Sequence, residues 1–310
     1  MTSESRGNSV RGIIPPMATP LASIDELDVP GLEKLTEHIL QGGAHALFLL
    51  GTTGEGPALS YKVRQELVQR TCRQVAGRVP VLVGITDSAF PEMLRMADSA
   101  AEFGADAVVV APPFYFQLGQ PDLLRLIEGL ADHSALPIYL YNQPELTKIN
   151  FSPDTVSRAA EIPKVAGIKD SSGDMSYLKE LLARRSSRPD FKIFVGPEHL
   201  LEEALECGAD GGVPGGANIF PDLPVQLYRA HERGDRAQVH AIQERINMIG
   251  SPIWNTGEAG PGYLRRLKCA LNVLGLCSPR PAWPYIESAP EERAQIEQHL
   301  TQCGLKPVSF

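Results

Sequence analysis

From near its start to about residue 232, the chain alternates between short apolar runs and longer stretches in which apolar residues recur every three or four positions. The runs are GIIPPM at 12–17, HALFLL at 45–50, PVLVGI at 80–85, DAVVVAP at 106–112, PIYLYN at 137–142, KVAGIKD at 164–170, FKIFVG at 191–196 and DGGVPGG at 210–216. Apolar runs bounded by Gly, Pro or Asp predict strands buried on both faces, as in parallel sheets. Between them lie helix-like stretches at 29–42, 60–76, 91–103, 121–133, 153–160, 175–183, 199–207 and 221–232. In the first, Leu32, Leu35, Ile39 and Leu40 share one stripe. Ser60 is placed as an N-cap, several of these stretches carry a proline in the first turn, and Gly43, Gly77, Gly104 and Gly208 stand where helices should stop.

Eight strand-then-helix units predict an α/β chain of the (β/α)8 TIM-barrel type. An open doubly wound sheet is the alternative, weakened because no G-x-G-x-x-G follows the first strand. Beyond residue 232 only helical patterns remain, near 235–250, 260–276 and 290–302. The expected organisation is a flexible N-terminal arm over 1–11, a catalytic barrel over 12–232 and a small C-terminal all-helical extension over 233–310.

Composition narrows the function classes. A net charge of −8, with no Lys/Arg stripe interleaved with aromatics, argues against a nucleic-acid partner. No apolar run of about 18 residues is present to span a membrane, and Met1 to Arg11 lacks the apolar core of a secretory signal. Five scattered cysteines suit reduced thiols in a cytoplasm. The seven histidines form no His-x-x-x-His pair and the cysteines no Cys-x-x-Cys, so no metal site is expected.

In such a barrel, the C-terminal ends of the strands and the loops after them build the active site. Lys169 ends KVAGIK, so its stem should pass through a dry neighbourhood. Desolvation disfavours an ammonium and frees the amine as a nucleophile toward carbonyls. The competing reading is a strand-end lysine paired with Asp170. Tyr141 ends the neighbouring strand, where it serves either as a packing ring or as a proton carrier during imine chemistry. Gly51-Thr52-Thr53-Gly54-Glu55 offers hydroxyls and approachable backbone N–H groups to a carboxylate. A turn that caps the next helix explains the same residues equally well. Trp254 and Trp283 read as core or oligomer contacts.

Taken together, Thr19-Pro20, Gly51-Thr52-Thr53-Gly54-Glu55, Tyr141-Asn142-x-Pro144, Gly167-Ile168-Lys169-Asp170 and the glycine-rich 211–218 stretch resemble the dihydrodipicolinate synthase / N-acetylneuraminate lyase family of pyruvate-dependent class I aldolases. The resemblance runs from Gly12 to about Leu276. It implies a lyase in which Lys169 forms an imine with pyruvate. Tyr141 then carries protons through Thr52, and Tyr115 reaches across a tight dimer into the partner's relay. The loop with Gly51 and Thr53 would hold the pyruvate carboxylate, and Gly196 and Val213 would line the imine. The resemblance further implies no metal or diffusible cofactor and a homotetramer built as a dimer of dimers.

The partner aldehyde is expected to differ from aspartate semialdehyde. The synthases typically carry an arginine five residues after the strand-end tyrosine, and here that residue is Leu146, which lacks a fork of donors for a carboxylate. Leu146, Ser171 and Glu198 together suggest a hydroxyaldehyde derived from a sugar-type 2-oxo acid. The synthase reaction proper, and a dehydratase or deaminase on the same imine, are the alternatives.

Overall fold

Eight parallel strands follow one another around a single sheet: β1 (Gly12–Ile13), β2 (Leu47–Leu49), β3 (Val81–Gly84), β4 (Ala107–Val110), β5 (Ile138–Asn142), β6 (Val165–Asp170), β7 (Lys192–Val195) and β8 (Gly211–Gly212). The computed structural model describes residues 7, 10–185, 188–255 and 262–308. Strands β2 to β8 pair in sequence order, and β8 pairs with β1. The ring is closed between β1 and β2, where Met17 N donates to Phe48 O (2.9 Å) and Phe48 N to Pro15 O (3.0 Å). The barrel is therefore complete, and the open-sheet alternative falls away.

Strand alternation divides the apolar runs between two cores. Leu47, Leu49, Val81, Val83, Val108, Val110, Ile138 and Leu140 face outward onto the helices. Phe48, Leu82, Val109, Tyr139, Tyr141 and Phe194 face inward and fill the barrel. Both faces are buried, which is why these runs show no polar alternation in sequence.

The helices that cover the barrel are α1 (Val29–Gln41), α2 (Tyr61–Val75), α3 (Phe90–Glu102), α4 (Gln120–His133), α5 (Pro153–Ala160), α6 (Met175–Arg184), α7 (Leu201–Glu206) and α8 (Asp222–Glu232). Ser60 caps α2 as expected, accepting from Val63 N at 3.3 Å. Gly43, Gly77, Gly104 and Gly208 all take positive φ at helix exits.

The extension consists of α9 (Arg236–Trp254), α10 (Tyr263–Val273) and α11 (Pro290–Gln302). Helix α9 continues through Pro252, past the expected end near residue 250, and this carries Trp254 to the barrel rim. Two further elements differ from expectation. A two-stranded hairpin, Leu21–Ser23 with Glu26–Leu27, follows β1, and a one-turn helix, Pro144–Thr147, follows β5. The expected flexible arm lies partly outside the described residues. Its described part is packed: Val10 is buried in the barrel base, and Tyr139 Oη donates to Gly7 O at 2.7 Å. Among the described residues, no helix is long and apolar enough to cross a membrane.

Candidate active site

Strand register places Tyr141 of β5, Lys169 of β6 and Phe194 of β7 side by side. All three point into the barrel. Lys169 is 8% exposed, and its Nζ lies 3.9 Å from the centre of the Tyr141 ring and 5.6 Å from that of Phe48. The side chain borders a hollow of about 20 Å³, with Ile14, Leu82, Val109 and Val213 among its walls. The dry neighbourhood expected of this lysine is therefore present.

Asp170 alternates to the other side of the strand and does not pair with Lys169. Its carboxylate accepts from Asn142 Nδ2 (2.9 Å), Ser172 N (3.1 Å) and Ser172 Oγ (2.9 Å). Burial raises its pKa, against the lowering effect of those bonds. The strand-end ion pair that offered the plainer reading of Lys169 is absent among the described residues.

The Tyr141 hydroxyl and Thr52 Oγ1 are 3.1 Å apart. Burial pushes the Tyr141 pKa up, but the Lys169 charge and hydrogen bonds from Thr52, Lys169 and Ser171 overcome it, leaving the phenol below its ordinary range. Ser171 keeps its place because residue 196 is glycine. A Cβ there would stand 1.9 Å from Ser171 Oγ, and Gly196 N donates to Asp170 O at 2.6 Å.

The loop after β2 is strained and fastened from several sides. Leu50 and Glu55 adopt left-handed φ of 59° and 55°. The Leu50 carbonyl fits only because glycines face it: a Cβ at Gly56 or Gly84 would lie 2.2 or 2.5 Å away. Glu55 Oε1 forms a buried ion pair with Lys268 of α10 at 2.5 Å, and its Oε2 accepts from Ala282 N at 2.6 Å. Lys268 Nζ also donates to Thr19 O (2.6 Å) and Arg280 O (2.8 Å). Glu55 thus satisfies a backbone donor and a buried cation together. Within the loop, the N–H groups of Thr52 and Thr53 meet no acceptor among the described residues. Paired donors of this kind suit an anion.

Above the tyrosine opens a cavity of about 430 Å³, to which Gly51, Thr52, Tyr141, Gln143 and Leu146 contribute. It adjoins the lysine hollow through Phe48 and Val109, which border both. No charged side chain is among its described lining residues. Lys148 turns away from it, with Nζ donating to Glu145 O at 2.5 Å.

Two expected site residues stand elsewhere. Glu198 borders neither cavity. Its oxygens accept from Trp254 Nε1 (2.5 Å) and Gly216 N (2.6 Å), so it joins the rim after β7 to α9 instead of facing the cavity. Burial pushes its pKa up to about 7 against those two bonds. Tyr115 is 76% exposed and meets Phe116 edge-on at 5.1 Å, away from the Tyr141 relay of its own chain. Thr53 is buried, and Tyr263 of α10 packs edge-on against Trp254 at 5.3 Å. Sequence reasoning missed Tyr263, Lys268 and Gln143. Lys268 carried a signal: it sits in the apolar run Leu267-Lys268-Cys269-Ala270-Leu271, the same context that singled out Lys169.

Comparison with known proteins places this geometry. The model of the dihydrodipicolinate synthetase family matches residues 9–303. A solved dihydrodipicolinate synthase from Bacteroides thetaiotaomicron superposes with a TM-score of 0.91 at 47% identity, covering 95% of this chain and 99% of that one. YagE of E. coli K12, a prophage protein of the dihydrodipicolinic acid synthase family solved in complex with pyruvate, superposes with a TM-score of 0.90 at 28% identity, covering 96% and 99%. The probable 2-dehydro-3-deoxy-D-pentonate aldolase YjhH of Escherichia coli (strain K12) is 30% identical over 305 residues, 96% of this chain and 98% of that protein. A match over nearly its whole length, at these identities and on this barrel, makes the chain a lyase of the dihydrodipicolinate synthetase family.

Proposed function

We propose that the chain is a class I aldolase that holds pyruvate as an imine on Lys169 and makes or breaks a carbon–carbon bond to a hydroxylated aldehyde. The observation that carries this reading is the Lys169 amine 3.9 Å from the Tyr141 ring centre, in a dry hollow beside a phenol hydrogen-bonded to Thr52. The amine adds to the C2 carbonyl of pyruvate, and Tyr141 delivers the proton with which the carbinolamine oxygen leaves as water. The resulting iminium accepts electrons, so C3 gives a proton to the Tyr141 phenolate left by that step and an enamine forms. The enamine attacks the aldehyde carbon as its C=O π bond opens, Tyr141 returns the proton to the aldehyde oxygen, and hydrolysis of the imine frees the amine. The reverse sequence cleaves a 2-oxo acid into pyruvate and aldehyde.

The N–H groups of Thr52 and Thr53, which meet no acceptor among the described residues, support a seat for the pyruvate carboxylate beside Gly51. Val213 borders the lysine hollow and would wall the imine, while Gly196 leaves room for Ser171 beside Tyr141. The iminium is its own electron sink, so the reaction is proposed to need no metal or diffusible cofactor. Leu146, with no charged side chain among the described lining residues, favours a sugar-type aldehyde over aspartate semialdehyde. The relatives carry both kinds of name, so the synthase reaction is the second reading.

The exposed Tyr115 and Phe116, 76% and 72% accessible, suit a tight dimer in which Tyr115 enters the partner's relay, and two such dimers would form the tetramer. The five free cysteines suit the cytoplasm.

Pyruvate with borohydride, followed by intact-protein mass and peptide mapping, tests the imine. A reduced pyruvyl adduct on Lys169 is expected; an adduct elsewhere, or none, overturns the reading. A panel of 2-oxo acids and aspartate semialdehyde then decides the aldehyde class.

A further inference from the structure

We propose that Gln143 reads a hydroxyl group on the aldehyde-derived half of the substrate, an assignment that rests on the imine reading above. Gln143 stands two residues beyond Tyr141 and lines the same cavity of about 430 Å³. Its backbone is fixed at the head of the one-turn helix, where its carbonyl accepts from Leu146 N (3.2 Å), Thr147 N (3.0 Å) and Thr147 Oγ1 (3.0 Å). Its side chain is not satisfied in the same way. Oε1 is buried and meets no hydrogen-bond donor among the described residues. A buried polar atom left unpaired destabilises a fold, and at a cavity wall it marks a place for a ligand group.

The surroundings indicate which group. Phe114, Leu146 and Tyr285 make much of the outer wall apolar, and no cation is among the described lining residues to accompany a carboxylate. Thr86 is a polar neighbour; its Oγ1 accepts from Ala111 N at 2.9 Å, which leaves its proton for another acceptor. A carboxamide offers one acceptor and two donors, and a hydroxyl both donates and accepts, so a hydroxyl satisfies either orientation of the amide. A carboxylate would face repulsion from Oε1 or, with the amide turned, would meet a neutral donor with no cation among the described lining residues, and a plain alkyl chain would leave the amide unpaired.

The test uses the full chain with pyruvate and two three-carbon aldehydes, glyceraldehyde and propanal. Wild type is expected to prefer glyceraldehyde in kcat/KM. Gln143→Leu should cut that value about tenfold or more and leave the propanal value nearly level, collapsing the ratio. Gln143→Asn, which withdraws the same oxygen by one methylene, should fall in the same direction and stands in if the leucine variant melts early. Borohydride trapping of pyruvate separates this assignment from its foundation. If wild type forms no adduct on Lys169, the imine reading fails and this one with it. If wild type and variants all form the adduct while the aldehyde ratio stays put, Gln143 alone is wrongly assigned. A wild type that traps pyruvate but shows no preference for glyceraldehyde also overturns it.

Discussion

The Lys169 amine lies against the face of the Tyr141 ring, 3.9 Å from its centre, while the hydroxyl of the same ring reaches Thr52. One side chain thus shelters the amine with its face and serves proton transfer with its edge. Tyr141→Phe separates the two roles, because it keeps the face and removes the hydroxyl. Borohydride should still trap pyruvate on Lys169, but kcat should fall by about 10²–10⁴-fold. The phenol is held below its ordinary pKa of 10.0, so the alkaline limb of the wild-type rate profile should start below that pH and be missing in the variant. Steady-state kinetics across pH, with single-turnover trapping, reads both.

The Glu55–Lys268 pair predicts a distant loss of activity. Lys268→Met strips a buried carboxylate of its cation and should cost about 3–5 kcal/mol of stability. It should also loosen the Thr52 loop and lower kcat, although Lys268 borders neither cavity. Adding Glu55→Gln should restore much of the melting temperature, because the orphaned charge is gone. Paired thermal melts and kcat values check this.

Glu198 predicts a pH slope in stability. Burial raises its pKa from 4.5 to about 7, so the folded carboxyl holds its proton more tightly than the unfolded one. Its stabilising contribution is fully present below about pH 4.5 and is lost as pH rises through about 7. Between those limits the change is on the order of 3 kcal/mol. Glu198→Gln sacrifices one of the two accepted bonds at every pH but removes the ionisation. Wild type should therefore lose melting temperature relative to the variant as pH rises from 5 to 8.

Leu146 predicts a gain of function. Leu146→Arg puts a guanidinium at the mouth of a cavity with no charged lining residue among those described. Aspartate semialdehyde should then be condensed with at least about tenfold higher kcat/KM than by wild type. An unchanged ratio of semialdehyde to sugar-derived substrates would count against this wall as the selector.

The barrel was legible because parallel strands buried on both faces leave unbroken apolar runs, and these eight are bounded by Gly, Pro or Asp. Lys169, Tyr141 and Thr52 were legible because polar residues at the C-terminal ends of such runs gather at the barrel mouth, although alternation turns Asn142 and Asp170 to the other side. Residues whose role depends on distant partners were not. Glu55 and Ala282 are 227 positions apart, Lys268 and Thr19 are 249, and no local pattern announces either contact. Glu198 was expected at the mouth, but sequence position does not say which way a side chain turns in a short 3-10 segment. Here it turned to Trp254.

The grip of the last quarter of the chain on the Thr52 loop bears on how the protein is made. All eight strands leave the ribosome before Lys268 and Ala282 are synthesised, so a nascent barrel can close while Glu55 is still an unpaired acid and its loop is free to move. Such an intermediate would hold Lys169 and Tyr141 side by side yet present no fixed seat for a keto acid. In that order of events, the seat for the keto acid would form only when the final helices dock.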